Sequence, residues 1–527
     1  MFFPLTTRGI QNIYFISFFS LTPAIYHSHF FNLPFDILRT EPKYSVKPLD
    51  KNKQGAFNNK KEGQKMISQG NVGHNRTSPA SRLSFTTKFS YGLGDFASNM
   101  SWTLVTTFLM FYYTDVYGLT PAVIGLLLLI VRGWDAINDP IMGLIMERTR
   151  SRYGRFRPYL LYTPLFMASA NILMFRVPHL GPVGKIIYAY ATYLCLEAAF
   201  TAVNVPYGAL ATVMTQEHDE RTTLNSFRMF STTAASIVIG TLTLPLIQIL
   251  GRGDMGKGFF LTAVIYSIIS IPLFWLVFIN CREVISPPEE QKLTLKDSLM
   301  SVIKNGPLIL VLIYTFLSLS TIFGRSGLLV YYCIYNLKRP DLVSILILLI
   351  GVCNLIAIVA TPFISEKLGK RMTAMGACLG GGIGLMIIFL SGYTDIGMII
   401  FGTIVFGLSG FGVPMLFSLT ADCVEYAEWK TDVRAEGAIY SVLSLIIKAA
   451  SAFVGSVGMI ALGALGYVPN GEQTQTALRG INIICNLVPS LMYFGAIIPL
   501  LFYIIDKKFY DRILKEISER RMPKHLP

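Results

Sequence analysis

Residues 121–146 read Pro-Ala-Val-Ile-Gly-Leu-Leu-Leu-Leu-Ile-Val-Arg-Gly-Trp-Asp-Ala-Ile-Asn-Asp-Pro-Ile-Met-Gly-Leu-Ile-Met. A hydrocarbon core about 30 Å thick is crossed by roughly 20 helical residues. This stretch is long enough, and its apolar parts are continuous instead of alternating, which suits a helix and not a barrel strand. Similar stretches recur along the chain, so twelve spans are expected at approximately 93–114, 121–146, 159–176, 186–214, 223–250, 258–280, 307–335, 342–365, 372–392, 396–420, 437–466 and 480–505. Composition agrees. Charged residues make up 14% of the 527, against roughly 25% in soluble domains, and the mean hydropathy is +0.51. The expected fold is an all-α polytopic protein, multi-pass in the cell (inner or plasma) membrane. Seven cysteines are scattered with no CxxC pair, and six histidines form no HExxH or Cys/His cluster. A disulfide framework and a zinc site are therefore not encoded.

Orientation follows from the short loops, where Lys and Arg concentrate on the cytoplasmic side. The loops after the even-numbered spans plus the tail carry 22 Lys and Arg, and the loops after the odd-numbered spans carry 7. Both termini are thus expected in the cytoplasm. The net charge of +14 reads as a topology signal and not as a nucleic-acid footprint, since no basic run alternates with aromatics.

The chain also looks duplicated. Six spans in 89–281 and six in 306–505 flank a polar cytoplasmic loop, 282–305, with Pro287-Pro288. Span 1 ends Phe111-Tyr112-Tyr113 and span 7 ends Val330-Tyr331-Tyr332, while Gly154-Arg155-Phe156-Arg157 after span 2 answers Gly369-Lys370-Arg371 after span 8. Two parallel six-helix halves with a site between them near mid-membrane is a transporter plan. Residues 66–88 and 506–527 are the cytoplasmic N-terminus and tail. Residues 1–65 do not fit: 10–35 are apolar but broken by Pro23 and Pro34, and a Lys/Asn/Gln-rich stretch follows. Lys60-Lys61-Glu62-Gly63-Gln64-Lys65 requires purine-rich codons, as a bacterial ribosome-binding site would, directly before Met66. The expectation is that translation starts at Met66 and that 1–65 is a non-native or disordered extension.

A charge at a span's centre costs at least about 2.5–3.5 kcal/mol on insertion scales, so each one needs a reason. Asp135, Asn138 and Asp139 fall at i, i+3 and i+4, on one helical face. Hard cations take oxygen ligands, and paired carboxylates repel unless a cation or proton lies between them. The alternative is an internal salt bridge with Arg132. In span 4, Glu197, Thr201, Asn204 and Gly208 also share a face, which offers Glu197 as an extra carboxylate for the site; the alternative is a carboxylate held protonated by desolvation, with no transport role. Arg228 in span 5, Arg325 in span 7 and Lys448 in span 11 supply buried cations, and opposite charges facing one cavity mark a coupled transport path. The glycine strings Gly380-Gly381-Gly382-Ile383-Gly384 and Gly407-Leu408-Ser409-Gly410-Phe411-Gly412 lie inside apolar spans, so they read as close helix packing and not as a dinucleotide loop. A membrane-embedded glycosyl hydrolase or transferase would need paired carboxylates at a loop-facing surface. The pair here is mid-span, and the chain is not expected to be an enzyme.

Over residues 86 to about 515 the sequence resembles the glycoside–pentoside–hexuronide:cation symporter family, the melibiose-permease branch of the major facilitator fold. The strings that carry the resemblance are Lys88-Phe-Ser-Tyr-Gly-Leu-Gly-Asp95, Tyr113-Thr-Asp-Val116, Trp134-Asp-Ala-Ile-Asn-Asp-Pro-Ile-Met-Gly143, Tyr153-Gly-Arg-Phe-Arg-Pro158, Asn204-Val-Pro-Tyr-Gly208 and Ala421-Asp-Cys-Val-Glu-Tyr-Ala-Glu-Trp-Lys430. The resemblance implies a coupling-cation site at Asp135, Asn138, Asp139 and Thr201. It implies a substrate site drawn from Asp95, Asn99, Asn204, Arg228, Arg325 and Lys448. It also implies a cytoplasmic gate at Asp422, Glu425, Glu428 and Arg434, paired with the basic loops. Melibiose permeases carry aspartates at the positions of Asn99 and Asn204 and a tryptophan at that of Gly208. These departures point toward the glucuronide- and xyloside-carrying branches. The expected function is sugar or glycoside symport with Na⁺ or H⁺ by alternating access, without a cofactor; the other reading is a cation-coupled carrier of an amphiphilic or lipid-like solute.

Overall fold

The computed structural model describes residues 83–215, 217–284, 302–432 and 436–521. The N-terminal extension and the proposed start at Met66 lie outside them, as do Arg434 and most of the central loop. The described residues form twelve helical rods and a tail helix: α1 (Phe85–Phe111), α2 (Pro121–Arg148), α3 (Arg157–Met174), α4 (Pro182–Met214), α5 (His218–Gly251), α6 (Met255–Asn280), α7 (Gly306–Asn336), α8 (Asp341–Leu368), α9 (Lys370–Leu390), α10 (Ile396–Thr431), α11 (Glu436–Ala464), α12 (Gln475–Leu501) and α13 (Lys507–Arg521). Their starts are chemically marked. Side chains of Ser84, Asp254, Asn305, Asp395 and Thr474 accept from backbone N–H groups of the first turn, and proline opens α2, α4 and α7 where its missing N–H costs nothing.

Ten of the rods are long and apolar enough to cross a membrane. The two that fall short of the expected twelve are α1 and α3. Thr103, Thr106 and Thr107 of α1 line a cavity instead of lipid, and α3 spans only 18 residues, opening with Arg157. In α8 the lipid-facing stripe is explicit: Ile345, Leu348, Val352, Ile356, Val359 and Phe363 are all exposed, at spacings that place them along one side of the helix.

The duplication is visible in the packing. In the first half α1 packs on α5 and α6, α3 on α4 and α6, and α2 on α4; the second half repeats this with α7 on α11 and α12, α9 on α10 and α12, and α8 on α10. The halves meet where α2 packs on α11, α5 on α8 and α1 on α7. The first two contacts exchange under the repeat and the third maps onto itself, as a pseudo-twofold axis between parallel repeats requires. The repeated tyrosine strings also coincide structurally, since α1 runs on as a π turn over Tyr112–Val116 and α7 ends in one over Tyr332–Asn336.

At that end the halves are latched. Asp115 accepts from the hydroxyls of Tyr335 and Tyr467, the latter at 2.7–2.8 Å, and from the Asn470 backbone N–H at 3.3 Å. Thr114 Oγ1 lies 2.8 Å from Tyr331 Oη. At the basic end, the Glu283 carboxylate accepts from the N–H groups of Arg155, Phe156 and Arg157 at 2.7–3.0 Å and caps α3. Gly154 makes this possible: its φ is +109°, and a Cβ there would lie 2.5 Å from the Glu283 carboxylate. The first glycine string packs closely as expected, a Cβ on Gly384 falling 2.6 Å from the Phe406 nitrogen. The second does more, because Ser409–Phe411 is a 3₁₀ break in α10 that faces the cavity.

Candidate functional site

One face of α2 presents Asp135, Asn138 and Asp139, and α4 brings Thr201 opposite. Thr201 Oγ1 donates toward Asp139 Oδ1 at 3.2 Å and lies 3.4 Å from Asp135 Oδ1. Three of the four residues expected to form a cation site, Asp135, Asp139 and Thr201, are thus neighbours; Asn138, on the same face of α2, has its Nδ2 buried without a partner among the described residues. Lys448 of α11 joins them across the half-interface, its Nζ 2.5 Å from Asp139 Oδ2 and 3.3 Å from Asp135 Oδ2. The family resemblance implies a place for it among the substrate residues. The packing of α11 on α2 instead sets its ammonium between the two carboxylates.

Arg132 completes the cluster, with Nη1 3.2 Å from Glu197 Oε1 and 3.7 Å from Asp135 Oδ2. Its principal acid partner is therefore Glu197, which explains how both are buried. Three carboxylates face two cations, leaving one formal negative charge. Among the described residues no group of three or more His, Cys, Asp or Glu converges as a metal ligand set. Two carboxylates and a hydroxyl are hard oxygen donors that suit a hard cation better than a thiophilic metal, and the one residual negative charge matches a single positive charge.

A cavity of about 340 Å³ opens between the halves. Hydroxyls of Thr103, Thr106 and Thr107 on α1 and Thr232, Thr233 and Ser236 on α5 line one side; Ser318, Ser326 and Asn354 line the other, with Trp102, Phe323, Phe406 and Tyr493 as aromatic walls. Trp102 touches both sites: it borders the cavity, and the Arg132 guanidinium lies 4.8 Å from its ring centroid. Such a contact is worth about 0.5–2 kcal/mol.

Of the six expected substrate residues, Asn99 and Arg325 line the cavity and Asp95, Asn204, Arg228 and Lys448 do not. Asp95 is engaged by Arg228, Nε to Oδ2 at 2.6 Å and Nη2 to Oδ1 at 3.3 Å, and Arg228 lies over the Tyr207 ring at 4.9 Å. Asn204 accepts from Ser98 Oγ at 2.9 Å and donates to its own helix. In the expected gate, Asp422 pairs with Lys370 at 2.6 Å, a contact to the basic loop after α8 but within the second half. Glu425 and Glu428 lie on the same helix, whose end is tied to α13 through Trp429–Glu516 and Asp432–Arg520. The residues missed in the sequence are Trp102 and the hydroxyl stripe. Asn99, Thr103 and Thr106 stand at i, i+4 and i+7, a spacing that was there to be read.

The geometry can be set beside known proteins. Residues 90–507 match the family model for MFS/sugar transport proteins. The chain is 35% identical to the isoprimeverose transporter of Lactiplantibacillus pentosus, over 84% of this chain and 94% of that one. It is 32% identical to the glucuronide carrier protein homolog of Escherichia coli K12, over 84% and 97%. The nucleoside transporter NupG shares the fold, with a TM-score of 0.58 at 13% identity over 78% of this chain and 99% of that one. Polytopic helices, a half-interface cavity and these likenesses agree, and the chain belongs to the MFS/sugar transport family of membrane transporters.

Proposed function

We propose that this transporter carries a sugar or glycoside together with one monovalent cation by alternating access. The observation that supports it is the single formal negative charge left over in the Asp135, Asp139, Glu197, Arg132 and Lys448 cluster, held beside a cavity whose wall mixes hydroxyl-bearing and aromatic residues with aliphatic ones. Hydroxyl and amide groups exchange hydrogen bonds with sugar hydroxyls, and aromatic faces cover their apolar C–H surfaces. In this reading Lys448 stands in for the coupling ion on Asp135 and Asp139. An arriving cation takes over the two carboxylates and Thr201, and the cluster becomes neutral. Trp102 relays the change, since a sugar against it braces Arg132 and hence Glu197 and Asp135. Na⁺ and H⁺ both satisfy the charge count. The relatives named for isoprimeverose and for glucuronide transport support a sugar or glycoside as cargo.

One cation falling through 100 mV supplies about 2.3 kcal/mol, enough for about 1.7 decades of accumulation of a neutral solute. The test is uptake of isoprimeverose and of a phenyl glucuronide into proteoliposomes, with and without imposed Na⁺ or H⁺ gradients. Gradient-driven accumulation of either is expected. Equilibration alone under every gradient refutes coupling.

A further inference from the structure

We infer that Glu197 is a positioning residue that keeps Asp135 free for the coupling cation by drawing the Arg132 charge to itself. This deepens the symport reading and rests on it. Arg132 and Asp135 stand at i and i+3 of α2, so the helix itself keeps them within reach of one another. Yet Arg132 Nη1 lies 3.2 Å from Glu197 Oε1 on α4 and 3.7 Å from Asp135 Oδ2. The guanidinium has two acids to choose from, and it sits nearer Glu197. A cavity of about 40 Å³ bordered by Arg132, Thr106, Tyr193 and Ser451 leaves it space to move.

Lys448 and Arg132 both face Asp135, at 3.3 and 3.7 Å, but they differ in what can remove them. Lys448 reaches across from α11 in the other half, so a rearrangement of the halves can carry it away. Arg132 sits on the same helix as Asp135 and travels with it. Without an acid of its own it would neutralise Asp135 in every conformation, and the cation would find one carboxylate instead of two. Glu197 belongs to the same half, where α4 packs on α2, so its pair with Arg132 persists through alternating access. A buried guanidinium needs a counter-charge, and Glu197 supplies one while both carboxylates of the cation site stay available.

Glu197→Asp separates positioning from simple charge. The charge stays, but a carboxylate one methylene shorter stands about 1.5 Å further back, which leaves it farther from Arg132 than Asp135 is at 3.7 Å. Arg132 should then turn to Asp135. Titration of the purified full-length protein with Na⁺ and Li⁺ at fixed pH, and with acid at fixed salt, reads cation affinity by intrinsic fluorescence. For the ion that the wild type binds, Glu197→Asp is expected to weaken affinity at least five-fold. In an Arg132→Gln background the same change is expected to alter it less than two-fold, the signature of one residue acting through another. Unaltered affinity in Glu197→Asp, or an equal loss with and without Arg132, overturns the proposal. Should Glu197→Asp fail to fold, Glu197→Gln is measured in the same two backgrounds, and an equal loss in both again overturns it. Failure of the symport reading shows separately, as a wild-type protein that binds none of these ions and accumulates no sugar under their gradients.

Discussion

Replacing Lys448 by Gln removes one of two cations from the cluster and changes its formal charge from one negative to two. Two unit charges 4 Å apart interact by about 1 kcal/mol in water and about 4 kcal/mol at an effective dielectric constant of 20. The Lys448 side chain is 20% exposed and its two carboxylate partners are 9% and 35% exposed, so a value between these limits applies, about 2 kcal/mol. A cation entering the variant meets no competing ammonium, and its affinity should rise by about 30-fold. Release should slow in proportion, so turnover falls although binding improves. Titration of the purified variant with Na⁺ and Li⁺ at fixed pH, and with acid at fixed salt, reads the affinity by intrinsic fluorescence. Unchanged or weaker cation binding in a folded Lys448→Gln protein would refute the stand-in role and return Lys448 to the substrate side.

Asp135→Asn and Asp139→Asn each neutralise the remaining charge, so both should abolish gradient-driven accumulation; sugar exchange without a gradient should persist, as isotope counterflow will show. Asp115→Asn loses charge-assisted bonds worth about 1.5–3 kcal/mol each at the latch. An impermeant thiol reagent added from that end should then label Thr106→Cys at least ten-fold faster, in a Cys195→Ser background because Cys195 is exposed. Burial first and the Asp115 carboxylate second push the Tyr467 phenol above its ordinary value. Its contribution to the latch is therefore complete below the unfolded tyrosine pKa of about 10 and is lost only as pH rises above it, so the ratio of Thr106→Cys labelling with and without Asp115→Asn, in which the rising thiolate fraction cancels, should stay flat from pH 6 to 9. Gly154→Ala forces a side chain into a left-handed backbone and against Glu283, and should destabilise the protein by about 1–3 kcal/mol, measured as a lowered thermal midpoint.

Period and spacing carried much of the fold. Long apolar runs marked the rods, and paired strings such as Phe111-Tyr112-Tyr113 and Val330-Tyr331-Tyr332 marked the repeat that the helix packing displays. The spacing of Asp135, Asn138 and Asp139 placed them on one face, because contacts within a turn are fixed by helical geometry. Lys448 was out of reach, since its ammonium meets Asp139 across 309 positions of chain and a helix interface. The same holds for Asp95 and Arg228, whose mutual pairing withdraws both from the cavity wall, and for Arg325, whose lack of an acid partner among the described residues is a property of the packed bundle. The apolar content of α1 falls short of that of the ten long rods because its threonines and Asn99 line a cavity.

Cation and sugar sites that are thermodynamically coupled must change each other's affinity by the same factor. The most direct measurement is sugar affinity with and without the coupling cation, in wild type and in Asp139→Asn. The account predicts at least ten-fold tighter sugar binding in the presence of the cation and a flat response in Asp139→Asn. Sugar affinity that ignores the cation in the wild type, or a cation effect that survives in Asp139→Asn, would contradict it.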